Sequence, residues 1–390
     1  MNAHWTASNS SLEIHSMPFY WRLSSGTSPV NGIDSRLAIK ITANVQHDYL
    51  RFIPTPDQWT VINEAYKKNA NIGFLNPESG QMQTYGASVN NFFLKEIKRF
   101  EPRLPVEIGC GAGFSIQFLK KHGYDVIGVD PSEYSLHWSE RLGFRLINDF
   151  FSKDLLDRRP DFVYCNDVFE HVSDVEKFSS MVFECLDDNG VFCIATTNST
   201  RSIQLGDISM LEHQHVNMFT DRSILLILGN AGFTDVSITS GSYGNTFHIT
   251  AVKRRSDFRD SSSLQSLNTH KPSLCEGYFQ RAEQAIKSFE HYYYSSSHNN
   301  FVCYVPLRCI PYLSCVGDFG KARILDSNAA WHGKYIDGYS RPIEKIDDIC
   351  GTKGEGRVFV GSLTFFDEIR DGLVAHGYQE DMIKSIELLA

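Results

Sequence analysis

One short stretch gathers most of the residues that could do chemistry. Glu107-Ile108-Gly109-Cys110-Gly111-Ala112-Gly113 sets a carboxylate just ahead of three alternating glycines. Glycines at this spacing let backbone N–H groups approach a ligand closely, and a helix starting behind them adds the positive end of its dipole. Asp130 stands twenty-one residues after Gly109, at the end of the next apolar run. A carboxylate there can accept hydrogen bonds from both hydroxyls of a ribose and would repel a 2′-phosphate. A dinucleotide fingerprint, GxGxxG, needs glycine at 114, and Phe114 occupies that position, which argues against NAD-type binding.

Three histidines offer proton chemistry. His171 lies in Glu170-His171-Val172; His213 and His215 lie in Glu212-His213-Gln214-His215, ahead of a helical pattern from Asp221 to Ala231. An unperturbed imidazole titrates near about pH 6.5, so above neutrality it is mostly uncharged and able to take a proton. His215 is expected to be the base, with His213 second and His171 third as a pocket support. The structural alternative is a histidine that caps the helix or satisfies a buried carbonyl. No CxxC pair occurs among the nine cysteines, and His213-x-His215 has no third ligand at a useful spacing. No metal site is therefore expected.

These residues need a frame that carries them to one edge. Leu104–Ile108, Tyr124–Val129, Phe162–Cys165 and Val191–Thr196 are short apolar runs. Helical spacings fall between them, at Phe114–Leu119, Ser132–Leu142 and about 174–186. The alternation predicts repeated β-α-β crossovers and a parallel, doubly wound sheet. The chain divides by pattern into residues 1–85, a core over 86–254, a Ser- and Asp-rich linker over 255–273, and a second α/β stretch over 274–390. The Ser-rich linker predicts a tail that detaches without opening the core. Aromatic residues before the glycines (Tyr20, Trp21, Phe74, Tyr85, Phe92 and Phe93) could form a lid or ordinary packing.

Composition narrows the classes. With 37 Lys and Arg against 46 Asp and Glu, the net charge is −9, which gives no electrostatic reason to bind nucleic acid. No run approaches the length of a membrane span, and no signal peptide stands at the polar N-terminus. A cytoplasmic setting without membrane partners is expected.

At this point the chain resembles class I S-adenosylmethionine (SAM)-dependent methyltransferases. The resemblance rests on VEIGCGAG (106–113), VIGVDPS (126–132), DFVYCNDVFEHV (161–172) and NGVFCIATTN (189–198), in that order. It implies a Rossmann-like, seven-stranded core with SAM as cofactor. Glu107, Gly109, Gly111 and Gly113 would hold its amino-acid end, Asp130 the ribose and Asp149 the adenine. Asn166 and Val168 would border the methyl group. Beyond the core, the segment before Asp221 is similar to that of sugar methyltransferases, with His215 at their histidine and Phe219-Thr220 at their Phe-Ser. Sugar C-methyltransferases carry a Tyr and a Glu-His pair there; here Gln214 replaces the Glu and no Tyr precedes it.

The tail is also similar to the smaller C-terminal α/β domain of those enzymes, through Arg323-Ile-Leu-Asp326-Ser-Asn328, Gly333-Lys334 and Pro342-Ile343. Their Cys-rich zinc domain has no counterpart, since no cysteine precedes Cys110. The implied acceptor is a small molecule, a sugar or nucleotide-sugar methylated on oxygen or carbon. A non-sugar metabolite methylated on O or N, and a non-catalytic SAM-binding subunit, remain as alternatives. The N-terminal region would then be a lid, and the tail an acceptor-binding or homodimer-forming element.

Overall fold

Val106, Ile108, Val163, Cys165, Phe192 and Ile194 are buried on one side of their strands, and Phe162, Tyr164, Val191 and Cys193 on the other. Strands buried on both faces belong in the middle of a sheet covered by helices. The computed structural model describes residues 4–19, 23–24, 36–68, 85–254, 272–295, 301–336, 338–346 and 356–389. Tyr20, Trp21 and Phe74, and nearly all of the expected linker, lie outside the described residues.

The N-terminal strands β1 (Trp5–Ala7), β2 (Ser11–Pro18), β3 (Leu23–Ser24), β4 (Arg36–Asn44) and β5 (Tyr49–Phe52) precede helices α1 (Pro56–Lys68) and α2 (Tyr85–Phe100). The core follows as β6 (Pro105–Ile108), α3 (Phe114–Lys121), β7 (Ile127–Val129), α4 (Glu133–Leu142), β8 (Leu146–Ile147), β9 (Phe162–Asn166), α5 (Val175–Cys185) and β10 (Val191–Thr197). It continues with α6 (Thr200–Leu205), β11 (Asn217–Met218), α7 (Asp221–Ala231), β12 (Asp235–Ser240) and β13 (Thr246–Val252). Seven of these strands form one sheet in the order β12-β13-β10-β9-β6-β7-β8. The sheet is mixed rather than wholly parallel: β13 runs antiparallel to both β10 and β12. The helices start where capping chemistry says they should. Ser132 accepts from Ser135 N at the head of α4, and Thr220 with Ser223 forms a capping box on α7.

The C-terminal unit contains α8 (Tyr278–Tyr294), β14 (Phe301–Tyr304), α9 (Pro306–Cys315), β15 (Arg323–Leu325), β16 (Tyr335–Ile336), β17 (Ile343–Glu344) and β18 (Arg357–Val360). It ends with α10 (Phe366–Ala375), β19 (Ile383–Lys384) and α11 (Ile386–Leu389). Its sheet is parallel throughout, in the order β17-β15-β14-β18-β19. The order reverses between β14 and β18, which marks the crevice where such sheets take ligands.

Residues 1–85 show no clear periodicity in the sequence, yet β1, β2, β4 and β5 build an antiparallel sheet that β11 completes. This sheet shares one hydrophobic core with the tail: Leu12, Ile14 and Ile41 pack in the same cluster as Tyr278, Phe289, Tyr312 and Phe359. Fully burying each large side chain contributes about 1.5–3 kcal/mol, so the tail is tied to the N-terminal sheet. The sequence pattern changes near residue 273, but the core runs across that boundary. Asp207 adds polar cross-links, accepting from Tyr312 Oη at 2.9 Å and Ser209 Oγ at 2.6 Å. Among the described residues, no helix is long and apolar enough to cross a membrane.

Candidate active site

The carboxyl ends of β6, β7 and β9 open into a cleft of about 1680 Å³. It continues to the carboxyl ends of the tail's strands, where Val305, Asp326 and Gly361 form its far wall. Trp59, Asn63 and Tyr66 of α1 line a further side.

At the near end stands the glycine loop. Gly109 has φ +70°, and a Cβ there would lie 2.4 Å from Val168 Cγ2. Gly111 has φ +50° and nothing within 4 Å of where its Cβ would be, so this glycine faces open cleft. Asp130 braces the loop: Gly111 N donates to its Oδ2 at 2.9 Å, and Ser132 N and Oγ donate to its Oδ1 at 2.9 and 2.6 Å. Oδ1 thus already has two donors, and Oδ2 keeps the larger remaining capacity. The expectation of a carboxylate holding both ribose hydroxyls narrows to one whose Oδ2 is the better acceptor.

Glu107 is buried and accepts from Tyr164 Oη at 3.0 Å. Burial, with Asp130 close by, pushes its carboxyl up to about 8, against the lowering effect of the Tyr164 hydrogen bond. Asn166 is buried and donates to Asp167 Oδ2 at 3.0 Å, while its own Oδ1 has no hydrogen-bond partner among the described residues. Val168 packs under Gly109, and Asp149 is an exposed residue at the mouth of the cleft. All eight residues expected around the cofactor border this space except Gly113, whose Cβ position is filled by Phe144 at 2.3 Å. A glycine cradle, two carboxylates and an unmatched buried amide oxygen fit the amino-acid and ribose parts of SAM.

The histidines separate into two environments. His171 and His215 face each other in the cleft with ring centroids 4.9 Å apart. His215 Nε2 lies 2.6 Å from Glu212 Oε1. Burial disfavours the charged ring, but the Glu212 carboxylate, helped by Glu170, outweighs it and holds His215 above its ordinary range. His215 is therefore not the unperturbed imidazole assumed from its sequence. His171 Nδ1 sits 2.7 Å from the Gln214 carbonyl, with Tyr66 Oη 3.0 Å away. Burial, reinforced by the charge of His215, lowers His171 to about 4.

His213 behaves differently from the expectation. It is fully buried, points into the N-terminal sheet between Phe19 and Phe52, and donates from Nε2 to the Leu37 carbonyl at 3.1 Å. His215 instead turns to Glu212 and the cleft, which His213 does not border, so the two rings do not share a site. Its place in the candidate chemistry is withdrawn. Phe92 and Phe93 likewise pack in the core, Phe92 stacked on His248, whereas Tyr85 reaches the cleft and donates to Asp167 Oδ1 at 2.9 Å.

Glu212, Glu170, Asp167, Tyr66 and Arg308 also border the cleft and were not singled out from the sequence. Glu212 carried a legible signal, three residues before His215. The Gln214 substitution had suggested a missing Glu-His pair, but Glu212 supplies the carboxylate.

Residues 81–238 match the family model described as a methyltransferase domain. A ubiquinone biosynthesis O-methyltransferase of Azorhizobium caulinodans is 31% identical over 102 residues, covering 24% of this chain and 40% of that protein. The mitochondrial ubiquinone biosynthesis O-methyltransferase of Bos taurus is 26% identical over 131 residues, covering 29% and 35%. The chain thus spans less than half the length of these relatives. Among solved structures, human N-acetylserotonin methyltransferase in complex with SAM aligns with a TM-score of 0.42 at 18% identity, covering 52% of this chain and 61% of that one. The plantazolicin methyltransferase in complex with S-adenosylhomocysteine (SAH) aligns at 0.36 and 15%, covering 51% and 100%. With the family match over its sequence and the glycine loop, Asp130 and the seven-stranded sheet in its structure, the segment 81–238 is a class I SAM-dependent methyltransferase domain.

Proposed function

We propose that this protein methylates a hydroxyl-bearing small molecule, a sugar or nucleotide-linked sugar, with SAM as donor. The observation that carries the reading is the single cleft running from the glycine loop, past His215, to the carboxyl edge of the C-terminal sheet. Its volume exceeds the roughly 300–1,000 Å³ of an ordinary ligand pocket, which leaves room for a donor and a sizeable acceptor together. When bound, SAM supplies an electrophilic methyl on a sulfonium.

The chain's own residues have separable roles in this reading. The Gly109–Gly113 loop and Glu107 receive the amino-acid end, and Asp130 accepts a ribose hydroxyl through Oδ2. Asp149 borders the adenine, and Asn166 and Val168 border the methyl group. His215, oriented by Glu212, stands at the acceptor side to receive the proton that leaves the hydroxyl. His171 and Tyr66 support that ring from behind. The tail's wall, with Asp326 and Arg308, holds the remainder of the acceptor.

Incubating the protein with SAM and a panel of free and nucleotide-linked sugars tests this directly. SAH release with a matching methylated product is expected for at least one of them. If SAH binds but every sugar fails while a phenolic or amine metabolite turns over, the sugar assignment falls and the domain's chemistry stands. Without turnover of any acceptor despite SAH binding, the chain is a non-catalytic SAM-binding subunit.

A further inference from the structure

Behind the acceptor corner, three ligand-type side chains converge. A carboxylate oxygen of Glu170 and one ring nitrogen each of His171 and His215 lie within 4.8 Å of one another. Glu170 and His171 come from the turn after β9, and His215 comes from the strap before β11. Folding assembles the group from two separate segments. Glu170 is fully buried; its Oε2 accepts from Thr196 Oγ1 at 2.8 Å, but its Oε1 has no hydrogen-bond partner among the described residues. A buried carboxylate oxygen without a donor is costly, and a cation would satisfy it.

The two imidazoles are held in a way that points the same direction. His171 Nδ1 faces the Gln214 carbonyl at 2.7 Å, and His215 Nε2 faces the Glu212 carboxylate at 2.6 Å. Metal-bound histidines are oriented like this: one ring N–H donates to a carbonyl or carboxylate, which fixes the tautomer and turns the other nitrogen to the ion.

We infer that Glu170, His171 and His215 form a site for one divalent transition-metal ion, open toward the cleft. Two imidazoles and one carboxylate suit Zn²⁺ or Co²⁺, whereas Mg²⁺ and Ca²⁺ call for oxygen shells. Tetrahedral bonds of about 2.0–2.2 Å put ligand atoms about 3.4 Å apart, so the three groups, now within 4.8 Å of one another, close up by as much as about 1.4 Å between atoms on loading. Three protein ligands leave a coordination position free, as in catalytic sites. An acceptor hydroxyl bound there loses its proton to solvent more readily. Its oxygen pair then forms the O–CH₃ bond, and the S–CH₃ pair returns to sulfur. The inference rests on the methyl-transfer reading and recasts His215 as a ligand rather than a free base.

The full-length protein, stripped with chelator and desalted, would be titrated with Co²⁺ and followed by visible absorption, with Zn²⁺ as competitor. One equivalent of Co²⁺ is expected to bind with a visible band that Zn²⁺ removes. Glu170→Gln and His171→Gln should each abolish the band. Glu212→Gln, which alters only the partner of a ligand, should weaken binding by about 10- to 100-fold. His137→Gln, on an exposed position of α4, should change nothing. Stoichiometric binding that is absent from the wild type, or that survives both Glu170→Gln and His171→Gln, overturns the site. SAH titration of the same metal-free samples keeps the two readings apart, because the methyl-transfer reading requires SAH binding whether or not the ion is present. Thermal melting of each variant shows that a lost band reflects lost ligands and not a lost fold.

Discussion

Glu212 Oε1 lies 2.6 Å from His215 Nε2, with both side chains facing the cleft and largely shielded from water. The proximity pulls the Glu212 carboxyl below its ordinary range despite burial, and holds His215 above its own. An imidazole fixed this way has one orientation and one tautomer.

Removing the ring should therefore act on turnover and not on the donor site. His215→Ala is expected to lower the rate by about 10²- to 10⁴-fold while SAH affinity stays within a fewfold. Single-turnover assays and calorimetric SAH titration on one preparation check both halves. Loss of SAH binding would move His215 out of the acceptor side.

Asp130 should behave in the opposite way. A charge-assisted hydrogen bond is worth about 1.5–3 kcal/mol, so Asp130→Ala is expected to weaken SAH binding by ten- to more than a hundredfold. Part of that loss comes through the loop, since Gly111 N would lose its acceptor. Asp130→Asn, which keeps an oxygen for that N–H, should recover some affinity. Calorimetry on the pair separates the contributions.

Two glycine substitutions should fail for different reasons. Gly109→Ala drives a methyl into Val168 Cγ2 at 2.4 Å, so it should lower the melting temperature measurably. Gly111→Ala meets no protein atom within 4 Å, although its positive φ makes any side chain strained. The folded protein should survive there with the smaller loss of stability but with SAH excluded from its cradle. Comparing melting curves with and without SAH reads both outcomes.

Glu107 gives a pH signature. Its carboxyl sits at about 8 in the folded chain against an ordinary value of 4.5. Between those values the folded state holds a proton that the unfolded state has released. Its contribution to stability is therefore full below the lower value and lost as pH rises to about 8, with a slope of about 1.4 kcal/mol per pH unit inside that window. Glu107→Gln keeps an acceptor for Tyr164 and removes the titration, so the variant's stability should fall less than the wild type's between pH 5 and about 8. Urea midpoints across that range measure it. Parallel curves for the two proteins would mean that Glu107 is ionised in the fold.

The shared core makes a further demand. A fragment ending at residue 272 would expose the face that Tyr278, Phe289 and Tyr312 cover on the N-terminal sheet. It is expected to aggregate or melt without a cooperative transition, and circular dichroism with sedimentation checks this. A monomeric fragment that melts cooperatively and binds SAH would show that the tail is dispensable for folding.

The core strands and the glycine loop were readable because each is local: an apolar run, a glycine spacing and a following helix are set by neighbouring residues. The helix from Asp221 to Ala231 has the same bounds in sequence and structure, since Thr220 caps it and Gly232 ends it. What stayed hidden was long-range. β13 alternates polar and apolar residues from Thr246 to Ala251, which is compatible with an antiparallel strand, but its partner β10 lies far off in sequence. The N-terminal sheet depends on β11, donated from the far end of the core. His213 and His215 look equivalent as letters, and only the packing of Phe19 and Phe52 around one of them distinguishes them. The Glu170–His171–His215 grouping escaped for the same reason, His215 lying more than forty residues from the adjacent Glu170 and His171.

The strap that carries His215 is fastened on both sides: His213 is bonded to Leu37 beneath it, and Asn217 and Met218 are paired with Arg51 and Leu50 after it. The reacting corner consequently has no hinge of its own. In the methyl-transfer reading proposed above, passage of a bulky acceptor in and a methylated product out would be accommodated by the other walls, α1 with Trp59 and Tyr66, or the rim at Ser362–Phe365. Substitutions that change which molecules are admitted should therefore cluster on those walls, while the strap tolerates little and sets only what happens after arrival.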